Sequence, residues 1–248
     1  MHPSLVIARR IVKQLLHDHR SLALALVVPS ALLTLFKLIL ENEVDGRPIG
    51  NFDRLAPPLI ATFVFLFVFI LSTVSFLRER TEGTFERLLT TPVRHRDIII
   101  GYMLGFLGLA VVQSAINVTF LVWVLDAGSN GPLVLVFLIQ FMLAICAVNL
   151  GVMLSTFART ELQAVQFVPL VIVPQVFLAG TIFPIDVLPT YLRELSWLLP
   201  LRYGIEATRD VMISGNGIGH FPLLRDLLVI AGFGSAFIAG ASLAIKRL

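Results

Sequence analysis

The sequence predicts an all-α protein that crosses a membrane several times, and three observations predict it. Apolar residues make up 57% of the 248 and charged residues 14%, giving a mean hydropathy of +0.90, far outside the range of soluble domains. The apolar residues fall in runs near the length of about twenty that a bilayer crossing requires. The charged residues gather between those runs, and the longest such stretch is RERTEGTFERLLTTPVRHRD at 78–97.

Residues 4–20 are too charged to span, and they lack the small-residue cleavage site of a signal peptide. At helical spacing Leu5, Ala8, Ile11, Val12, Leu15, Leu16 and His19 gather on one side, with Arg9, Arg10, Lys13, Gln14 and His17 on the other. This is the pattern of an interfacial helix, whose basic face suits an anionic leaflet. Six spans follow, at 21–40, 57–77, 97–125, 132–157, 161–182 and 223–245, the third and fourth long enough to tilt or project. Placing both termini in the cytoplasm puts Arg9, Arg10, Lys13, Arg20, the loop arginines 78, 80, 87, 94 and 96, Arg159, Lys246 and Arg247 inside. The outer arginines are mixed with acidic residues, so the positive-inside rule selects this orientation. The net charge of +3 is a property of these loops and implies a lipid bilayer as partner, not nucleic acid. Lys37 stands near the outer end of the first span, where it can snorkel.

The 78–97 loop contains a break, a short helix and a second break. Gly83 interrupts the helix arriving from the second span, Thr84 can cap a new one, and Glu86 occupies its first turn. Phe85, Leu88 and Leu89 fall on one side, and Pro92 ends the helix, giving bounds of 84–91; Asp97 can cap the next span. An amphipathic helix held at the cytoplasmic surface offers an apolar ridge to a partner in water, while a basic loop lying on lipid headgroups accounts for the same residues.

The fifth span carries Pro169 and Pro174 together with Gln163, Gln166 and Gln175. Proline frees backbone groups that polar neighbours or water must satisfy, so a kink beside a wet path and ordinary interhelical hydrogen bonding both fit. The outer segment 181–222 is too apolar for a free loop. Pro184, Pro189 and Pro200 divide it into one helix at 187–199 and a second at 202–213, read as re-entrant helices occupying 184–213. Arg202, Glu206 and Arg209 share a face of the second, so Glu206 should pair with one of the two arginines. Gly232, Ala236 and Gly240 in the sixth span, and Gly101 and Gly105 in the third, are small-residue stripes suited to close helix packing.

The missing features restrict function. There is no GxxxxGK[ST] phosphate loop, so the chain does not hydrolyse ATP by that route and is not an enzyme alone. No ionisable residue lies near the middle of a span to relay protons or sodium. Cys146 is the single cysteine, and the five histidines are scattered, so no metal site is expected.

The interfacial basic helix, the six spans, the loop ERTEGTFERLLTTP and the late LLPLRYGIEATRDVMISG together resemble the membrane subunit of ABC type-2 exporters, including daunorubicin-resistance-type drug or lipid permeases. The resemblance runs over essentially the whole chain. It implies that Glu79, Arg80, Glu82, Gly83, Thr84, Phe85, Glu86, Leu88, Leu89 and Pro92 form the coupling helix and its flanks, which dock on a separate cytoplasmic ATP-binding subunit carrying ATP and Mg. It also implies a second permease copy, identical or a close paralogue, and a plasma (inner) membrane location. A substrate path between the second and fifth spans would use Thr62, Phe63, Phe67, Phe69, Gln166 and Gln175, and an outer gate Pro200, Arg202, Tyr203, Gly204, Glu206 and Arg209. With 19 Phe against 3 Tyr and 2 Trp, a hydrophobic or amphipathic substrate is favoured over a polysaccharide. Polysaccharide or sodium export by the same architecture, a secondary transporter, and a non-transporting scaffold that recruits a cytoplasmic partner are the alternatives.

Overall fold

The computed structural model describes residues 2–44, 47–84, 90, 93 and 95–245. Its helices are α1 (Pro3–His17), α2 (His19–Leu40), α3 (Phe52–Thr81), α4 (His95–Thr119), α5 (Leu133–Ser155), α6 (Glu161–Leu178), α7 (Thr190–Ser196), α8 (Pro200–Met212) and α9 (Phe221–Ile245). Of these, α3, α4 with the π-turn Phe120–Val124 that continues it, α5, α6 and α9 are each long and apolar enough to cross a bilayer. Helix α2 has 22 residues, long enough for a crossing. The chain is a polytopic all-α membrane protein, and its extended structure among the described residues is a two-residue hairpin, β1 (Glu43–Val44) with β2 (Arg47–Pro48), after α2.

Helix α3 is the axis. It packs against α5, α8, α2, α6 and α4, and Ile60, Val64, Phe65, Phe69 and Phe76 along it are fully buried. Nothing in its apolar run breaks it: Pro57 and Pro58 fall in the early turns, and the first break is at Gly83, with φ of +70°. The helix therefore exceeds the 57–77 read from hydropathy at both ends, because Phe52 to Ala56 and Arg78 to Thr81 keep helical propensity although they are not apolar enough to count as a span.

Helix α1 lies along α4. A Cβ added to Gly101 would come 2.6 Å from Ile7 Cβ, and one on Gly105 equally close to Ile11 Cβ, so the two glycines form the bed that receives α1. The contact with α4 takes in only part of the expected apolar face. The buried residues are Ser4, Ile7, Ala8, Ile11 and Leu15, whereas Leu5 (52% exposed) and Leu16 (49%) are turned away. The reason is that contact follows the i, i+3/i+4 row that fits the glycine bed, not the centre of the apolar arc. The other glycine stripe behaves differently. Gly232 has open space around it, and only Gly240, beside Met153, is in close contact.

Three further boundaries differ from expectation. Asp97 sits in the first turn of α4, which starts at His95, and does not cap it. The single helix expected at 187–199 is a 3-10 turn, Ile185–Val187, followed by α7, because Pro189 holds Leu188 extended, with ψ of 140°. Helix α6 ends at Leu178, where Gly180 turns the chain with φ of +89°, well before the expected 182.

Gly101→Leu should separate α1 from α4 and destabilise the protein by about 1–3 kcal/mol, as overpacking does. Gly232→Leu, at an open position, should leave the thermal midpoint in detergent unchanged. Equal midpoints for the two variants would contradict the assigned role of the glycine bed.

Candidate functional site

The last two turns of α3 collect polar contacts from four other helical segments. Glu79 is 3% exposed, so its charge must be compensated inside the protein. Its Oε2 accepts hydrogen bonds from Arg10 Nη2 of α1 at 2.6 Å and from the Tyr102 hydroxyl of α4 at 2.7 Å. The Tyr102 ring is fully buried and meets Phe76 edge to face, which fixes the direction of its hydroxyl. Arg78 donates through Nε to Glu161 of α6 at 2.9 Å and lies 3.5 Å from Asp18, just past α1. Arg80 Nη1 donates to the carbonyl of Ser155 at 2.6 Å, where α5 ends with carbonyls that have no partner within the helix. Ser4 adds a hydrogen bond to Asp97, joining the starts of α1 and α4 at 3.4 Å.

Three successive residues, 78, 79 and 80, thus point in three directions and bind α6, α1 with α4, and α5. This follows from helical geometry, because neighbours about 100° apart cannot share a face. The arrangement clamps the end of α3 to the body of the bundle. Glu82 is exposed beyond the clamp, and Gly83 follows in the left-handed region with Thr84 after it. Phe85, Glu86, Leu88, Leu89 and Pro92, the sequence-derived ridge and its stop, lie outside the described residues.

A second polar cluster lies at the other end of the bundle, around α8. Arg202 Nε donates to Glu206 Oε1 at 2.9 Å, one turn on, and the Arg202 guanidinium stacks 4.5 Å from the Trp197 ring centre. Arg202 also bonds to Ser196, and Tyr203 donates to the Trp197 carbonyl at 2.9 Å, so α8 is fastened to α7. The second oxygen of Glu206 accepts from Arg225 of α9 at 3.3 Å. Among the described residues Arg209 takes no carboxylate; it donates to the Gly180 carbonyl at 2.8 Å, and burial pulls its guanidinium below the ordinary value while Glu206 opposes the shift. Gly204 allows the close approach of α8 to α5, since a Cβ there would come 2.2 Å from Leu143 Cδ1. Pro200 occupies the first turn of α8.

The path residues are placed less uniformly. Thr62, Phe63, Phe67 and Phe69 are buried within the protomer, Phe69 completely, and the Thr62 hydroxyl is 2.9 Å from that of Thr181. Gln166 is exposed on α6, whereas Gln175 is buried with its Oε1 lacking a hydrogen-bond partner. No group of three or more histidine, cysteine or acidic residues capable of holding a metal occurs among the described residues.

A family model described as ABC-2 type transporter matches residues 4–213, a segment that runs from α1 to the end of α8 and contains the first polar cluster and all of the second except Arg225. The chain belongs to the ABC-2 type transporter family. Its relatives include ABC transporter G family member 20 of Dictyostelium discoideum, 30% identical over 205 residues, covering 82% of this chain and 28% of that protein. The probable multidrug ABC transporter permease YbhR of Escherichia coli K12 is 27% identical over 244 residues, 91% of this chain and 66% of that one. The linearmycin resistance permease protein LnrN of Bacillus subtilis is 26% identical over 182 residues, 72% and 46% of the two chains. The chain therefore spans under a third of the first of these relatives and about two thirds of the second.

Sequence reasoning placed Glu79 and Arg80 in this ABC-2 chain at the docking loop; the structure turns both into the protomer. It gave no role to Tyr102, Asp18 or Glu161 and none beyond a basic helix face to Arg10. One signal was available: a glutamate and two arginines directly after a long apolar run fall on three helix faces, so not all can face water. Arg10→Ala strands the buried Glu79 carboxylate and should cost about 3 kcal/mol or more. The double variant with Glu79→Gln should recover part of that loss, measured as the thermal midpoint in detergent. Additive losses would mean that the two side chains act independently.

Proposed function

We propose that this chain is the permease subunit of an ATP-driven exporter that moves a hydrophobic or amphipathic substrate out of the cytoplasm. It works as a pair with a second permease copy, identical or closely related, on two cytoplasmic ATP-binding subunits that carry ATP and Mg. It lies in the plasma (inner) membrane with both termini cytoplasmic, and α7 with α8 dips into the outer leaflet.

The observation that carries this reading is the clamp at residues 78–80. A push on the loop that follows reaches α3 through its own backbone, and α3 is tied at that point to α1, α4, α5 and α6. At 30 residues α3 is about 45 Å long, enough to carry a displacement across the bilayer as a rigid rod. Toward its other end Thr62 meets Thr181, in the turn that leads to α7 and α8. The loop helix with Phe85, Leu88 and Leu89 is the docking element, and Glu79 and Arg80 position its base and do not touch the partner. Closure of the ATP-binding subunits moves the loop, α3 transmits the movement, and the paired permeases switch access between their second and fifth spans. Thr62, Phe63, Phe67, Gln166 and Gln175 serve that path, and the Arg202–Glu206–Arg225 cluster holds its outer end shut. The relatives named as multidrug and linearmycin resistance permeases support a substrate of this kind.

Leu88→Asp should abolish co-purification with the ATP-binding subunit while membrane insertion persists; retained co-purification would remove the docking role. At the outer end, Glu206→Ala leaves Arg202 and Arg225 without their shared carboxylate and should reduce export well below that of Glu194→Ala, an exposed position. Equal export by the two variants at matched expression would remove the gate.

A further inference from the structure

At the end of the bundle opposite the clamp, the connection 125–131 between α4 and α5 is bonded to three other helices. Lys37 Nζ of α2 donates to the Leu125 carbonyl. The Gly128 N–H donates to Asp53 Oδ1, in the first turn of α3, at 3.1 Å. Asn130 reaches the end of α8: its main-chain N–H donates to the Met212 carbonyl at 2.9 Å and its Nδ2 to the Ile213 carbonyl at 2.7 Å. A helix end leaves carbonyls that need donors. Here the amides of Ile213, Gly215 and Asn216 fold back on the carbonyls of Arg209, Val211 and Asp210, and Asn130 supplies the next two. Gly131 then lies flat on α8, since a Cβ there would come 2.5 Å from the Val211 carbonyl oxygen. The connection also begins on a strained residue. Asp126, with φ of +49°, is the one non-glycine residue in the left-handed region among the described residues.

We infer that the 125–131 connection couples α3 to α8, with Asp53 and Asn130 as its two positioning residues. A displacement of α3 along its axis carries Asp53, Gly128 follows through its bond, and Asn130, two residues on, draws the end of α8. There is little slack between them, because the Ser129 hydroxyl closes on the Gly131 carbonyl at 3.1 Å. Helix α3 is then held at both ends, by the clamp at residues 78–80 and by the connection at Asp53. The bonds at Asp53 and Asn130 are exposed and each is modest, so the link can yield as helices rearrange. Its use in transport rests on the exporter reading, to which it adds a route from α3 to α8 separate from the contact of Thr62 with Thr181. The mechanical coupling itself does not rest on that reading.

Hydrogen exchange of the full chain in nanodiscs, without ATP or a partner subunit, tests the coupling. Asp53 makes no hydrogen bond to α8 among the described residues, yet Asp53→Ala should speed exchange of the amides at 213–216 about fivefold. Asp53→Asn keeps an oxygen acceptor for Gly128 and should hold exchange there within about twofold of the unaltered protein. Arg54→Ala, at the exposed neighbouring position, should change nothing. Asn130→Asp turns a donor into an acceptor facing the Ile213 carbonyl and should speed the same amides at least as much as Asp53→Ala, with no further increase in the double variant. Unchanged exchange at 213–216 in Asp53→Ala overturns the coupling. So does an Asp53→Asn variant that behaves like Asp53→Ala, which would trace the effect to the charge at the start of α3. With the ATP-binding subunits added, Asp53→Ala should cut export about fivefold while ATP hydrolysis stays within about twofold. Unchanged export would remove the connection from transport. Absence of export by the unaltered protein would count against the exporter reading alone, since the exchange result decides the coupling without it.

Discussion

The compensation of one carboxylate organises the end of the bundle where α3 stops. Glu79 ends an apolar helix and is buried at 3% exposure, where an unpaired charge would be untenable. Arg10 and Tyr102 answer it from two different helices, so the electrostatic requirement of a single residue fixes where α1 and α4 stand relative to α3. The glycine bed on α4 makes this geometry possible. Without Gly101 and Gly105 the α1 backbone could not lie close enough for Arg10 to reach Glu79, so packing and charge are two parts of one constraint.

The opposite end is built on a different principle. There Arg202, Glu206 and Arg225 share charge across α8 and α9, and Arg202 is further held by the Trp197 ring and by Ser196. No residue in that cluster depends on one partner alone. The clamp concentrates its contacts on two helical turns, whereas the second cluster spreads them over α7, α8 and α9.

The helices were legible because bilayer thickness imposes a length and composition that a linear scan detects, as in α5 and α9, whose limits fall within a few residues of the expected spans. The pairing of Arg202 with Glu206 was legible because both lie on one helix a turn apart. The clamp was not. Arg10 and Glu79 are separated by 69 residues, and nothing in the periodicity of either helix specifies which face meets which neighbour. The row of α1 that meets α4 was not legible for the same reason: an apolar arc gives a general direction, while the row buried against a neighbour is chosen by the surface opposite, here two glycines on another helix. The family resemblance marked Glu79 and Arg80 as part of the docking region, and only their three-dimensional surroundings show that both are bound to other helices of the protomer.

Gly83 leaves the end of α3 with φ of +70°, and a Cβ placed on it would meet nothing within 4 Å. Its requirement for glycine is therefore stereochemical and has nothing to do with crowding. The angle at which the chain leaves the clamp is written in backbone chirality, so it is independent of the side chains on either side. An articulation of that kind is modular: the segment beyond it can diverge to suit a new partner while the stem before it keeps its internal contacts, and the two can be selected separately.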